Sequence, residues 1–116
     1  EDVRTIHAGS IYPIRAIGFL PGFPYCGPLP EPLDQMGRRD SPRPRVPAGS
    51  VAIAAGQTAI YPRESPGGWH LLGRTPLVIA DLETGYFPLK AGDRIRFQPI
   101  DETTFHRLEG QRFTPD

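Results

Sequence analysis

The sequence is short of cysteine, of excess charge and of long apolar runs, and each shortage excludes a class of protein. With Cys26 as the single cysteine in 116 residues, the chain has no internal disulfide and no cysteine-based metal site, which suits a reducing compartment. Thirteen basic residues balance thirteen acidic ones, so no long-range field draws the protein to nucleic acid or to an anionic membrane. No run is apolar enough to cross a bilayer. We therefore expect a soluble, cytoplasmic protein.

Familiar catalytic and ligand-binding motifs are missing as well. The sequence contains no Walker signature and no GxSxG nucleophile elbow. Its three histidines lie far apart, and no recognised metal motif surrounds them, so we expect no bound metal. Any anion recognition has to come from local groups.

Proline and glycine are abundant, at 15 and 13 residues, yet they separate apolar segments of the kind that form short strands. The runs SVAIAA, TAIY and PLVIADL are rich in β-branched and large apolar residues. Their positions predict strands near 12–20, 50–54, 58–61, 69–74, 77–82 and 93–99. Because most connections are short, we expect a closed or nearly closed antiparallel sheet.

The two ends of the sequence are typical of short helices. EDVRTIHAGS resembles the last turns of a helix that Gly9 ends, and DETTFHRLEG predicts one or two turns capped by Asp101. The length fits one domain, residues 1–116. Because the chain starts without methionine, we interpret it as the C-terminal part of a longer protein, with residues 1–9 the remnant of a linking helix.

A proline-rich segment, residues 21–47, predicts a long loop, and such a loop is more often functional than decorative. The stretch GFLPGFPYCG, residues 18–27, leads into this loop and presents Phe19, Phe23 and Tyr25 among glycine and proline. These rings either line a binding site or plug the end of a barrel. The pattern alone leaves both readings open.

The same loop carries Arg43 and Arg45 two residues apart between prolines. Extended backbone would project both guanidinium groups to one side, where together they can bind a carboxylate or a phosphate through paired N–H donors. A solvated basic loop paired with Asp40 or Glu31 is the alternative.

The segment AAGQTAIYPRESPGGWHLLGRTP, residues 55–76, contains many polar and aromatic side chains for a stretch punctuated by glycine and proline. Strand alternation predicts that His70 and Arg74 share one face and that Trp69 lies on the other. His70 is a candidate general acid or base, and Gln57 a candidate ligand for an amide or lactam edge. A lone histidine on a strand is also commonly structural.

Three blocks, GFLPGFPYCGPLP, SPRPRVPAGSVAIAAGQTAIYPRESPGGWHLLGRTPL and LKAGDRIRFQPI, follow one another in the chain. Together they resemble the C-terminal domain of the allophanate hydrolase subunit 1 / KipI family, also described as the B subunit of 5-oxoprolinase. The resemblance runs from about Ile17 to Ile100. It implies a mainly β fold, a cyclophilin-like closed β-barrel with one or two short helices.

The resemblance also implies partners and an activity. Family members pair with a homologous C subunit, and together with an A subunit they open 5-oxoproline to glutamate at the expense of ATP. Related domains act in biotin-dependent urea carboxylase, so biotin is a cofactor of relatives, and we expect this domain alone to bind no cofactor. One family member inhibits a sporulation histidine kinase, which makes a regulatory binding protein the alternative.

By resemblance, the polar candidates take roles toward a small anionic substrate. Arg43, Arg45 and Arg74 would hold its carboxylate or phosphate, Gln57 would bind the lactam or ureido group, and His70 would carry a proton. Phe23, Tyr25 and Tyr61 would wall the pocket.

The sequence departs from the family pattern at Cys26, where an aliphatic residue is usual, and at Ala55 and Ala59, which replace glycines around Gln57. An alanine in either place bears strain if the backbone there has a positive φ.

Overall fold

The computed structural model describes residues 2–115 and shows a mainly β protein with two short helices. The helices are α1 (Val3–Ala8) and α2 (Glu102–Leu108), and one 3₁₀ turn spans Glu31–Leu33. The strands are β1 (Ile11–Ile17), β2 (Pro24–Cys26), β3 (Arg43–Val46), β4 (Ser50–Ala54), β5 (Gln57–Ile60), β6 (Ser65–Gly67), β7 (His70–Arg74) and β8 (Arg94–Arg96).

Six strands form one antiparallel sheet in the order β7-β4-β5-β2-β1-β8, and β3 pairs with β6 in a small second sheet. Within residues 2–115, nothing pairs β7 with β8, so the large sheet is an open half-barrel. The prediction of a closed barrel is therefore wrong. Closure fails because the chain between the two edge strands makes isolated bridges instead of a further strand.

The predicted strand at 77–82 lies in that connection and is wrong. Val78 makes a single parallel bridge to Arg112, and Asp81 bridges to Tyr86. The chain reverses between these last two residues, where the Gly85 N–H donates to the carbonyl of Leu82 at 3.3 Å, and neither bridge extends into a ladder. The strand predicted at 93–99 is real but shorter, at Arg94–Arg96.

Two strands, β2 and β3, lie inside the segment that the sequence predicted as loop. Proline is tolerated at the first position of a strand and on edge strands, because there its missing N–H breaks no ladder bond. Pro24 is the first residue of β2, and Pro44 lies in β3, a member of a two-stranded sheet whose strands are both edges.

The core lies on both faces of the large sheet. One face, which we call the aromatic face, is covered by Phe23, Val46, Ala52, Ala54, Ala59, Tyr61 and Trp69. The opposite face packs Tyr12, Ile14, Cys26, Leu29, Leu33 and Ile53. β4 separates these clusters and is buried along its whole length, since both of its faces are covered.

Both helices begin at an aspartate whose side chain accepts a backbone N–H, Asp2 for α1 and Asp101 for α2. α1 ends at Gly9 as predicted, although that residue has an ordinary φ of −81°. Glu1, which the prediction placed in this helix, lies outside the described residues. Neither helix is long and apolar enough to cross a membrane.

Candidate functional site

Strand register brings three of the predicted site residues to the aromatic face. Directly paired residues in an antiparallel sheet project to the same side. Tyr25 pairs with Ala59, and Gln57 pairs with Ala54. Since Ala59 and Ala54 both belong to the aromatic cluster, Tyr25 and Gln57 lie on that face.

Arg74 joins them, and His70 does not. Arg74 pairs with Ser50, which lies two residues from Ala52 and so on the aromatic side, whereas His70 pairs with Ile53 of the opposite cluster. The prediction that these two residues share a face is wrong, because β7 contains a bulge that places one extra residue between the two pairs. Trp69 lies on the aromatic face. It is opposite His70, as the alternation predicted, but on the same face as Arg74, which the alternation had placed opposite it.

Phe23 is the centre of the aromatic cluster. Its ring lies 4.9 Å from that of Tyr25, 5.1 Å from Tyr61 and 6.1 Å from Trp69, with the last two approached edge to face. It is 1% exposed, so it supports the other rings from beneath and has no open surface of its own. Tyr25 is half-buried and is the ring that solvent reaches. The burial of Phe23 favours a packing role for that ring, and the lining of a binding site by Tyr25 stays a prediction.

Two clefts open on either side of Tyr61. The larger, which we call the arginine cleft, has a volume of about 340 Å³ and is lined by Phe19, Tyr25, Arg38, Arg39, Pro42, Tyr61, Pro66, Gly67, Gly68 and Trp69. The smaller, of about 240 Å³, is lined by Ala48, Gly49, Tyr61, Pro62, Arg74, Thr75, Pro76, Leu77, Val78, Ile79, Glu109 and Gly110. Tyr61 is the residue that the two linings share.

Tyr61 is held in place by a close approach of backbone. A Cβ at Gly67 would overlap the Tyr61 hydroxyl and lie 2.8 Å from its Cζ, so only glycine leaves room for the ring. Burial raises the pKa of Tyr61, and the neighbouring Tyr25 adds to this, while the positive charge of Arg38 acts in the other direction. The hydroxyl therefore stays protonated and remains a hydrogen-bond donor at neutral pH.

The predicted arginines are divided between different places. Arg43 is half-buried on β3, and its Nε is buried with no hydrogen-bond partner among residues 2–115. Arg45 is exposed and lines neither cleft. Arg74 lines the smaller cleft, where its Nε donates to the carbonyl of Ala48 at 2.9 Å and its guanidinium lies 5.9 Å from the ring centroid of Phe105.

Gln57 lies beside a tight turn and outside both clefts. The turn joins β4 to β5 through Ala55 and Gly56, whose φ values of 50° and 80° give the geometry of a type I′ hairpin. Backbone hydrogen bonds fix it from outside, from Ala55 to Met36 at 2.7 Å and from Leu29 to Gly56 at 3.0 Å. The expected strain at Ala55 is confirmed. Ala59, in contrast, lies in an ordinary strand and carries none.

Sequence reasoning missed two arginines of this cleft, Arg38 and Arg39, and it named Phe19 among the aromatic rings of residues 18–27 without giving it a site role. The paired arginines had one available signal, a basic doublet inside a loop that was already suspected of function. Trp69 was placed on its face but given no role. No group of metal-ligating side chains occurs in the part of the chain that the structure describes.

Comparison with known proteins places these features in a family. Residues 1–86 match the family described as carboxyltransferase domain, subdomain C and D. The chain is 43% identical over 107 residues to the 5-oxoprolinase B subunit of Bacillus subtilis, covering 91% of this chain and 44% of the relative. The chain thus spans about half the length of this relative.

Two further relatives extend the comparison. A putative urea carboxylase of Emericella nidulans is 28% identical over 116 residues, which is 97% of this chain and 9% of that protein. The crystal structure of a conserved uncharacterized protein from Pyrococcus horikoshii superposes with a TM-score of 0.76 at 42% identity, covering 89% of this chain and 48% of that one.

Proposed function

The chain belongs to the carboxyltransferase family, subdomain C and D, and from this premise we propose that it is the substrate-binding part of the B subunit of an ATP-dependent 5-oxoprolinase. The observation that carries the proposal is the 43% identity to a protein of that name over 91% of this chain. In the assembled enzyme, 5-oxoproline is opened to L-glutamate. This domain is inactive without its partners.

The aromatic face supports the proposal because it offers both kinds of surface that 5-oxoproline needs. The substrate is a small lactam ring that carries a carboxylate. The half-buried ring of Tyr25 lines the arginine cleft, where it packs against the apolar ring of the substrate and excludes water. Tyr61 lines the cleft as well, but at 1% exposure it supports the wall from within. Small-molecule sites usually combine such apolar walls with a few placed polar groups.

We assign the polar roles by position on that face. Arg43 holds negative charge beside the arginine cleft, Arg74 does so in the smaller cleft, and Gln57 binds the amide edge of the substrate once the homologous partner protein completes the site. His70 is left out of this set, because its register places it on the opposite face. Arg45 is left out because its side chain is exposed, whereas Arg43 and Gln57 are half-buried.

The remaining parts of the enzyme belong to other chains and to the rest of this one. We propose that the C and A subunits supply the ATP-dependent steps, that this chain is the C-terminal domain of a longer cytoplasmic protein, and that its fold is cyclophilin-like. Urea-type carboxyltransfer, in which biotin serves the relatives, is the nearest related reaction, since a putative urea carboxylase is 28% identical to the chain.

The test is ATP-dependent hydrolysis of 5-oxoproline by the full-length protein together with its neighbouring subunits. Glutamate formation is compared with the same mixture lacking this protein. Turnover that requires it supports the proposal, and alanine at Arg74 or Gln57 is then expected to lower turnover. Turnover that proceeds equally without it refutes the proposal and directs the search to urea-type substrates and then to a histidine kinase partner.

A further inference from the structure

The two clefts beside Tyr61 differ in their charged groups. The smaller cleft contains Arg74 together with Glu109, so charges of both signs line it. Among residues 2–115, the lining of the arginine cleft includes Arg38 and Arg39 and no acidic residue. An anion is therefore favoured in the arginine cleft. The positive charges that would bind it belong to Arg38 and Arg39, to which no role has been assigned so far.

Arg39 is fixed at the wall of this cleft by its own backbone. Its N–H donates to the carbonyl of Gly68 at 2.7 Å, which joins the proline-rich loop, residues 21–47, to the segment that leads into Trp69. The next part of the loop is fixed in the same way, since Arg43 pairs with Gly67 where β3 meets β6. Two arginines are thus attached to the two glycines that line the cleft.

The side chains of these two arginines are short of partners. Nη1 of Arg39 and Nε of Arg43 are buried and make no hydrogen bond within residues 2–115. Every ion pair found in that range lies elsewhere, at Arg4–Asp2, His106–Glu102, His106–Glu109 and Arg112–Asp81. A buried guanidinium nitrogen without an acceptor is unfavourable, and a bound carboxylate removes that penalty because it accepts from a guanidinium fork with matching geometry.

The mouth of the cleft carries a strained aromatic residue. Phe19 has a φ of 68° and is the central residue of a γ-turn closed by a 2.7 Å hydrogen bond from Leu20 to Gly18. A positive φ is costly for so bulky a side chain, and strain of this kind is concentrated at binding sites. The turn leaves Phe19 62% exposed while its ring contacts Phe23 edge to face at 5.2 Å.

We propose that Arg39 is the residue that binds the substrate carboxylate, and that the ring of the same substrate lies between Tyr25, Trp69 and the exposed ring of Phe19. Arg43 supplies the second donor from the adjacent strand. This inference rests on the proposed function for the identity of the substrate, and it assigns the carboxylate to a residue of the proline-rich loop that the predicted set did not contain.

Arg39→Gln tests the assignment in the assembled enzyme, with Arg45→Gln as the matched control. Both variants remove one positive charge from the same segment, but Arg45 is exposed and lines neither cleft. We expect Arg39→Gln to raise the KM for 5-oxo-L-proline about tenfold or more, with kcat changed by less than about threefold, since the lost contact is present in the ground state. Arg45→Gln should leave both parameters near those of the parent enzyme.

A binding measurement without ATP separates this inference from the proposed function. Equilibrium dialysis of the full-length protein with its partner subunits uses labelled 5-oxo-L-proline and, in parallel, labelled 2-pyrrolidone, which has the same ring and no carboxylate. We expect 5-oxo-L-proline to bind in preference to 2-pyrrolidone, and Arg39→Gln to abolish that preference.

The outcomes are distinct. If Arg39→Gln retains the parent KM and the parent preference, the inference is overturned even when turnover supports the proposed function. Absence of 5-oxo-L-proline binding also overturns it. If Arg39-dependent binding is found but no glutamate forms, the proposed function fails and the carboxylate site stands.

Discussion

The two faces of the large sheet both bury polar groups, but they treat them differently. On the opposite face, Nε2 of His7 lies 2.8 Å from the hydroxyl of Thr58, which itself donates to the carbonyl of Ala52 at 2.9 Å. The Tyr12 hydroxyl donates to the backbone carbonyl of His7 at 2.7 Å. On the aromatic face, nitrogens of Arg39 and Arg43 are buried without partners among residues 2–115.

This difference indicates which face is for stability and which is for binding. A fully satisfied polar cluster fixes a unique core, and the His7 cluster attaches α1 to the sheet. Unsatisfied donors on a preformed wall lower the stability of the free protein and are compensated when a ligand supplies the acceptors. The aromatic face therefore has the features of a site, and the opposite face those of a scaffold.

The largest expected effect on stability comes from adding a side-chain carbon at Gly67, where the backbone lies close to the Tyr61 ring on the aromatic face. Gly67→Ala places a methyl group against the Tyr61 ring, which is 1% exposed and packed against Phe23 and so cannot yield. We expect the free energy of unfolding in urea to fall by about 3 kcal/mol.

Gly68→Ala is the neighbouring control, because its nearest atom would be Pro42 Cβ at an ordinary 3.8 Å. It should change the free energy of unfolding by less than about 0.5 kcal/mol. Equal losses in the two variants would mean that the Gly67–Tyr61 contact does not define this face.

The scaffold face should be sensitive to acid through His7. Burial lowers the pKa of His7 from 6.5 to about 4, so the folded state favours the neutral ring. Its contribution to stability is complete above pH 6.5 and is lost as the pH falls toward 4, by about 3 kcal/mol at pH 4. Urea unfolding across this range measures the loss.

His7→Gln keeps an amide donor near Thr58 and removes the titration, so the difference between parent and variant isolates the histidine. His106→Gln changes an exposed histidine of α2 and should reproduce the parent pH profile. A His7→Gln profile with the same slope as the parent would show that His7 is not held neutral by the fold.

A smaller effect, of opposite sign, is expected at the hairpin between β4 and β5. Ala55 has a φ of 50°, and Ala55→Gly relieves this strain while it adds some entropy to the unfolded chain. The free energy of unfolding should rise by about 0.5–1 kcal/mol. Ala54→Gly, at a fully buried strand position, should lower it. Destabilisation by both glycines would contradict the positive φ at Ala55.

Much of the scaffold is readable from the sequence because local patterns decide it. The run SVAIA lies between turn residues and forms β4 with the predicted bounds 50–54, and Asp101 caps α2 as predicted. Segment 77–82 is equally apolar yet forms only bridges, since its reversal depends on contacts with the distant residues around Arg112. Whether such a segment forms a strand or only isolated bridges is decided by tertiary contacts, which a local sequence pattern does not contain.

The candidate site was less readable, for two physical reasons. A bulge in β7 reverses the alternation and moves Arg74 to the aromatic face away from His70, and the only trace of such a bulge is a glycine at position 73. The sequence pattern predicts no role for Arg39, because burial of its Nη1 depends on how the loop folds back on Gly68.

The comparison between the two faces is tested most directly by the free energy of unfolding of the ligand-free protein. It is measured for the parent protein and for two variants, Arg39→Met and Thr58→Val. Removing the unpaired charge should raise stability by about 1 kcal/mol, whereas removing the Thr58 hydroxyl should lower it by about 2 kcal/mol, because it leaves His7 and Ala52 without partners. If Arg39→Met destabilises the protein as much as Thr58→Val does, Arg39 is a satisfied structural residue and the distinction between the two faces is wrong.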